Sequence, residues 1–450
     1  MKRFRSRLVA QGFRQTFGED YEEIFSPVVN YVLIRLFFVL LVVLRGWQDC
    51  HLDVKCAYLY GELDCTTYLA IPKGWRSESN DGMVWKLQRA LYGLHQSGRQ
   101  WYIKLDETLK KLGFTKFRGF NCVYFYGDFC VIMIYVDDIV MFTPDLKCQE
   151  YCIAQLASCF DLVNLGKIQT LLGVNFLREN NRIFLSQATY IDALTVKYKE
   201  FVNFVTKVPG NIGQIVQSAK PGDLLDNIFP YRSLIGSLLF LATRTRPDIL
   251  FSVILLSQYN TTHTKFHVRL LIQVLNYVVA TRDYRIELTG CTGDNLIAYC
   301  DASFASDRDS RRSFGGFIVY LGNIPISWNC AKQKAVTLST MEAEYITLVD
   351  CAKEVNWLNH VFLSCPIVLR KESVPLIFTD NVSCVHFTKN EVENSRTKHI
   401  DVKFKFLREW FHDGLFTLRT VGTKYNIADV FTKWLTENRL KFLIQSVFTN

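Results

Sequence analysis

Two adjacent carboxylates, Asp137 and Asp138, interrupt an apolar stretch from Val131 to Thr143 that reads V-I-M-I-Y-V-D-D-I-V-M-F-T. β-Branched and aromatic residues on either side predict two buried strands joined by a tight turn, with the only charges at the turn. Aspartate is also a common turn former, so taken alone the pair favours ordinary structure. Side-by-side carboxylates repel, and that cost is tolerable chiefly where divalent cations neutralise them, as in sites whose two metals lie about 4 Å apart. Such a site needs a third carboxylate. Asp53 offers one at the end of a short strand in W-Q-D-C-H-L-D-V-K-C-A-Y-L-Y-G-E-L, Trp47 to Leu63. The compact aromatic-rich segment that follows, closed by Gly61, lets its carboxylate project from the same sheet. The bland reading of an isolated strand-end Asp is a helix cap.

A second set of carboxylates occupies the last third of the chain. Ile297 to Asp301 is a strand ending in acid, and Phe314 to Leu321 and Ile324 to Trp328 continue it as a meander. Ser339 to Leu358 begins with a serine or threonine cap and runs as a helix that places Glu342 in its first turn. Glu344 faces another side of that helix and is the lesser candidate. Leu376 to Asp380 is another strand ending in acid, and Asn426 to Lys433 opens a final helix carrying Asp429. Each acid could be an innocent cap. Together the four have the chemistry to coordinate two Mg²⁺ ions, with water and phosphate oxygens completing each shell.

The elements that must position these groups follow from the surrounding pattern. Residues 1–14 carry Lys2, Arg3, Arg5, Arg7 and Arg14 interleaved with Phe4, Leu8, Val9 and Phe13. This alternation reads either as a basic β-ribbon that grips phosphate or as a charged edge strand protected from aggregation. Asn30 to Arg45 predicts an apolar helix. Val84 to Tyr102 predicts a polar tip, His95 to Arg99, between two aromatic helical flanks, suited to a base pair and a backbone phosphate. Arg396 to Arg408 puts Lys398, Lys403, Lys405 and Arg408 near one another on a helix. That face is either merely solvated or, beside an acidic metal site, a surface for a hybrid duplex. Lys207 to Asn227 is the expected flexible joint and Thr289 to Asp294 the expected linker.

At 450 residues, with 49% hydrophobic and 14% aromatic content, the chain can bury two or three cores and has no disorder signature. A formal net charge of +9 suits a polyanionic partner without establishing one. The longest apolar run, Leu36 to Leu44, is far too short for a bilayer span, so no membrane partner is expected. Fourteen cysteines without a C-x-x-C pair read as reduced thiols, and the N-terminus lacks the apolar stretch of a signal peptide. A cytoplasmic or nuclear protein is expected.

The ordered motifs R-L-V-A-Q-G-F, Y-E-E-I-F-S-P-V-V, L-D-V-K-C-A-Y-L-Y-G, L-Y-G-L-H-Q-S-G-R-Q-W-Y and Y-V-D-D together resemble the reverse transcriptase of copia-type LTR retrotransposons. The second set of carboxylates resembles ribonuclease H, and the likeness spans nearly the whole chain. It implies an α+β and α/β multidomain fold: a right-hand polymerase palm with partial fingers and a thumb, then a ribonuclease H-like domain with a five-stranded mixed sheet. The implied divisions are 1–190 for the reverse transcriptase, 191–290 for thumb and connection, and 291–450 for the nuclease. Phe160 to Phe176 looks like the thumb-side segment, and Tyr231 to Tyr259, with R-T-R-P-D, like the connection.

The resemblance assigns two Mg²⁺ ions, with Mn²⁺ as the alternative, to Asp53, Asp137 and Asp138, and two more to Asp301, Glu342, Asp380 and Asp429. Arg5 and Arg7 would grip the triphosphate, Gln96 would seat the incoming nucleotide, and Tyr58 would act as a steric gate against a 2′-hydroxyl. Implied partners are an RNA template, a DNA primer, deoxynucleoside triphosphates and the RNA–DNA hybrid, and the implied setting is intracellular, a virus-like particle included. Gly98 stands where the family usually has proline and Lys405 where it often has histidine. Two rivals remain: a decayed or co-opted remnant that binds RNA or hybrid without polymerising, and a hybrid nuclease with a structural N-terminal half. The presence of all seven metal-binding carboxylates argues against decay.

Overall fold

Strands buried on both faces must be apolar almost throughout, and the centre of the first sheet is built from such segments. In the computed structural model, which describes residues 6–220, 226, 228–367, 373–389 and 401–449, the chain divides into two compact units, Met1–Ile168 and Gln169–Asn450. The first unit holds a six-stranded antiparallel sheet. Its order is Thr115–Lys116, Val123–Tyr126, Cys130–Tyr135, Asp138–Thr143, Gln48–Val54, Leu162–Gly166. Cys50, Leu52, Ile132, Met133, Ile139 and Met141 are fully or almost fully buried there. The expected apolar helix runs over Tyr31–Phe37 and continues through a wider turn, Phe38–Val43, with the Asn30 side chain accepting the Val32 N–H at 3.0 Å. Phe38 meets Phe142 of the sheet edge-on.

Two local expectations are corrected in this unit. Of the basic ribbon, residues 6–14 contain no strand: the only regular turn is Gly12–Arg14, and Ala10 instead donates its N–H to the Tyr92 carbonyl at 2.8 Å. The segment from Val84 is not helical before Ser97. It begins with a short strand, Val84–Lys86, turns through 88–96, and becomes the helix Ser97–Lys111 only where Trp101, Leu105 and Leu109 supply one buried face.

The second unit contains a four-stranded antiparallel sheet ordered Ile286–Glu287, Arg182–Ser186, Val174–Glu179, Thr170–Leu171. Beside it in the sequence are the helices Tyr231–Arg244, Leu250–Ser257 and Lys265–Ala280. Within R-T-R-P-D, the Arg246 guanidinium is completely buried on Asp248, and Tyr277 donates its hydroxyl to the same carboxylate at 2.8 Å. A five-stranded mixed sheet follows, ordered Ile324–Lys332, Phe314–Leu321, Leu296–Ser303, Leu376–Thr379, Thr417–Thr420. The first three strands are antiparallel and the last two add in parallel. This is the expected ribonuclease H-like mixed sheet.

Glycines set how closely other elements approach the strand Phe314–Leu321. A Cβ on Gly315 would lie 2.2 Å from Thr347 Oγ1 of the helix Thr340–Ser364, and one on Gly316 would lie 2.3 Å from Phe431 Cβ. Gly316 is the register partner of Asp301. The final helix expected over 426–433 is instead a short tight turn, Ile427–Phe431, opened by the Asn426 side chain accepting the Ala428 N–H. Of the basic helix, Asp401–His412 is described, while Arg396 and Lys398 lie outside the described residues. Among the described residues no helix is long and apolar enough to cross a membrane.

Candidate active sites

In the first unit, strand pairing brings the sequence-distant acids together. Gln48–Val54 runs antiparallel to Asp138–Thr143 with Asp53 in register with Asp138, so the two side chains share a face. Tyr135 pairs with Asp138, leaving Val136 and Asp137 as the two-residue turn. Val136 adopts φ +59°, which is costly for a β-branched residue. The buried Trp101 indole holds that turn by donating to the Val136 carbonyl at 2.7 Å. Burial, then Asp138 and Asp53, raise the Asp137 carboxyl above its ordinary value, while Arg7 lowers it. His51 Nε2 lies 2.6 Å from Asp138 Oδ1.

A ring stack borders this turn. Tyr58 follows Cys56, a residue at φ +53°, and its ring lies 4.7 Å from that of Tyr92. The Arg7 guanidinium sits over the other ring at 5.3 Å. Burial and then the Asp137 charge raise the Tyr58 hydroxyl. Arg7 and Tyr58 are thus beside the acids. Gln96 is not. It is completely buried, accepting from Gln15 Nε2 at 3.0 Å and donating to the Asp20 carbonyl at 3.0 Å. The residue that faces Tyr58 and Arg7 is Tyr92, four positions earlier in the same turn, which sequence reasoning missed. Arg5 lies outside the described residues.

In the second unit Asp301 lies inside the strand Leu296–Ser303, two residues before its end, Asp380 comes just after Leu376–Thr379, and the turn Ile427–Phe431 delivers Asp429. One oxygen from each lies within 4.8 Å of the others, the tightest such grouping among the described residues. Asn426 Nδ2 donates to the Cys300 carbonyl at 3.0 Å and to Asp380 Oδ1 at 3.3 Å, tying the turn to both strands. Thr432 donates its hydroxyl to Asp301. Burial pushes the Asp301 carboxyl up to about 6, with Lys433 opposing.

Glu342 does not join this group. It sits in the first turn of the helix, donating its N–H to the Ser339 cap hydroxyl at 3.2 Å, and its Oε2 accepts the Leu338 N–H, one residue before the cap, at 2.7 Å. Glu344, two residues on, lies on the face toward Asp301 and Asp380. Burial and then those two acids push its carboxyl up to about 9, and its buried Oε2 has no hydrogen-bond partner. An orphaned carboxylate oxygen beside Asp301 and Asp380, with an all-oxygen donor set, fits a hard divalent cation. Two cations also missed from sequence touch Asp429: Lys433 at 2.8 Å and Arg439 at 3.0 Å. On the basic helix, Arg408 donates to the Phe387 carbonyl at 3.0 Å, and Lys403 faces Asp350.

A carboxylate-bearing hairpin turn on an antiparallel sheet, followed by a five-stranded mixed sheet with acids on or just after its strands, is the fold expected of a palm followed by a ribonuclease H-like sheet. Residues 1–210 match the family described as "Reverse transcriptase (RNA-dependent DNA polymerase)". The retrovirus-related Pol polyprotein from transposon TNT 1-94 of Nicotiana tabacum is 33% identical over 98% of this chain and 34% of its own length. The transposon Ty5-1 protein of Saccharomyces cerevisiae is 32% identical over 68% of this chain and its entire length. The chain belongs to the copia-type retrotransposon reverse transcriptase family, and it spans about a third of the Pol polyprotein it matches. A foamy viral protease-reverse transcriptase solved in complex with double-stranded DNA shares the fold at TM-score 0.50 and 14% identity, over 89% of this chain and 61% of that one.

Proposed function

We propose that the chain is an RNA-directed DNA polymerase carrying a ribonuclease for the RNA strand of the hybrid it makes. The observation that supports this most is the register pair Asp53 and Asp138 beside Asp137, flanked by Arg7, Tyr92 and Tyr58. Residues 1–190 would form the reverse transcriptase, 191–290 the thumb and connection, and 291–450 the nuclease, working inside the cell.

Asp53, Asp137 and Asp138 would hold Mg²⁺ at the first site, and Asp301, Glu344, Asp380 and Asp429 at the second. The metal supplies charge neutralisation at phosphate and a lowered pKa for a bound hydroxyl or water. The protein's own groups do the positioning. Arg7 binds the triphosphate of a deoxynucleotide, its guanidinium oriented by the Tyr92 face. Tyr58 fills the space a 2′-hydroxyl would need. Trp101 fixes the turn that aims Asp137 at the primer terminus. At the second site Thr432 and Asn426 orient Asp301 and Asp380.

The direct test is extension of a DNA primer on an RNA template by the purified chain with Mg²⁺ and deoxynucleotides. Template-dependent extension is expected. Binding of the hybrid with no extension would replace this reading with that of a co-opted remnant.

A further inference from the structure

We propose that Lys433 is the resident counter-ion of the second carboxylate cluster: its ammonium holds the cation position in the absence of metal and must leave for a divalent ion to enter. This rests on reading Asp301, Glu344, Asp380 and Asp429 as a metal site. Lys433 Nζ lies 2.8 Å from Asp429 Oδ1 and 3.5 Å from Asp301 Oδ2. Those acids supply two of the three oxygens grouped within 4.8 Å. A divalent ion held by Asp301 and Asp429 would need the same carboxylates, so ammonium and metal would compete for them.

The two cations on Asp429 differ in their freedom. Arg439 is fixed, because it also donates to the carbonyls of Thr423 and Lys424. The Lys433 ammonium has carboxylates for partners, and its side chain is 40% exposed. That exposure lets the displaced side chain swing out to solvent. The arrangement relieves repulsion among buried acids in the empty state and weakens metal binding by the contacts that must break.

The experiment is a Mn²⁺ binding isotherm on the whole chain, read by the electron paramagnetic resonance of free Mn²⁺, together with thermal stability in chelator. The sites at issue are those that Asp380→Asn removes. Lys433→Met and Lys433→Gln should each bind Mn²⁺ there about tenfold more tightly than wild type, the change expected for loss of one charge-assisted contact. Both should also melt at lower temperature in chelator. Lys433→Arg, which keeps the charge, and Lys265→Met, which removes an exposed charge on another helix of the second unit, should not tighten binding. If Asp380→Asn leaves the isotherm unchanged, the metal-site reading itself falls. If Asp380→Asn removes sites but neither Lys433 variant binds more tightly, the counter-ion proposal is overturned and the metal site stands.

Discussion

Replacing Glu344 by glutamine should separate stability from activity at the second cluster, and the structure sets the size of the effect. Its carboxyl, buried beside Asp301 and Asp380, is pushed from 4.5 up to about 9. In metal-free protein at about pH 8 it is therefore protonated when folded and ionised when unfolded. The folded state holds the extra proton, so the stabilising contribution is complete below the ordinary value and is lost as pH rises toward the folded one. From 4.5 to about pH 8, at about 1.36 kcal/mol per pH unit, the cost reaches roughly 5 kcal/mol. Asp301, pushed up to about 6, draws on the same protons, and halving the figure for that coupling leaves about 2 kcal/mol. Glutamine carries no such cost. Urea unfolding in chelator should show Glu344→Gln more stable than wild type by about 2 kcal/mol near pH 8 and by under about 1 kcal/mol near pH 5, with cleavage of the RNA strand lost when Mg²⁺ is restored. An equal gain at both pH values, or cleavage that persists, would refute the placement of Glu344. Glu342→Gln is the matched control: it weakens the helix start, costs about 0.5–1 kcal/mol, and keeps cleavage.

Tyr58→Val should raise the ratio of ribonucleotide to deoxynucleotide incorporation in single-turnover extension, because it relieves one clash; a uniformly slower enzyme with an unchanged ratio would reduce Tyr58 to packing. Trp101→Phe leaves the Val136 carbonyl without its indole donor, and extension should slow by roughly tenfold or more while RNA cleavage holds, measured on the same preparation. Arg246→Met strands Asp248 in the interior and should cost about 3–5 kcal/mol in denaturant unfolding, whereas substitution of both partners by apolar residues should recover much of it.

The seven acids expected from sequence differ in how far pattern alone could place them. Asp53, Asp137 and Asp138 stood out because strand alternation and a turn leave charged residues few other reasons to interrupt apolar runs. Asp301 and Asp380 were legible for the same reason, as acids at strand ends. Glu342 and Glu344 were not separable, since a two-residue step reverses the helix face and the phase depends on where the cap falls; Ser339 as cap turns Glu342 back on the backbone. Gln96 looked exposed in a polar stretch but is internal, because Gln15 and Asp20 fold over it from a distance that local pattern does not register. Tyr92, one residue before Gly93 at φ +94°, carried a faint signal: a large aromatic beside a left-handed glycine in a polar turn. The basic alternation of 1–14 misled because, over the described part, its backbone pairs with the 92 turn rather than with a strand. Lys433 and Arg439 gave no sign, their role depending on a tertiary approach to Asp429.

The claim that one chain holds two independent carboxylate sites is tested most directly by assaying both activities on a single labelled RNA–DNA substrate. Asp137→Asn should abolish primer extension and leave RNA-strand cleavage at the wild-type rate, while Glu344→Gln should do the reverse. Loss of both activities in either variant, with the protein folded, would contradict the account.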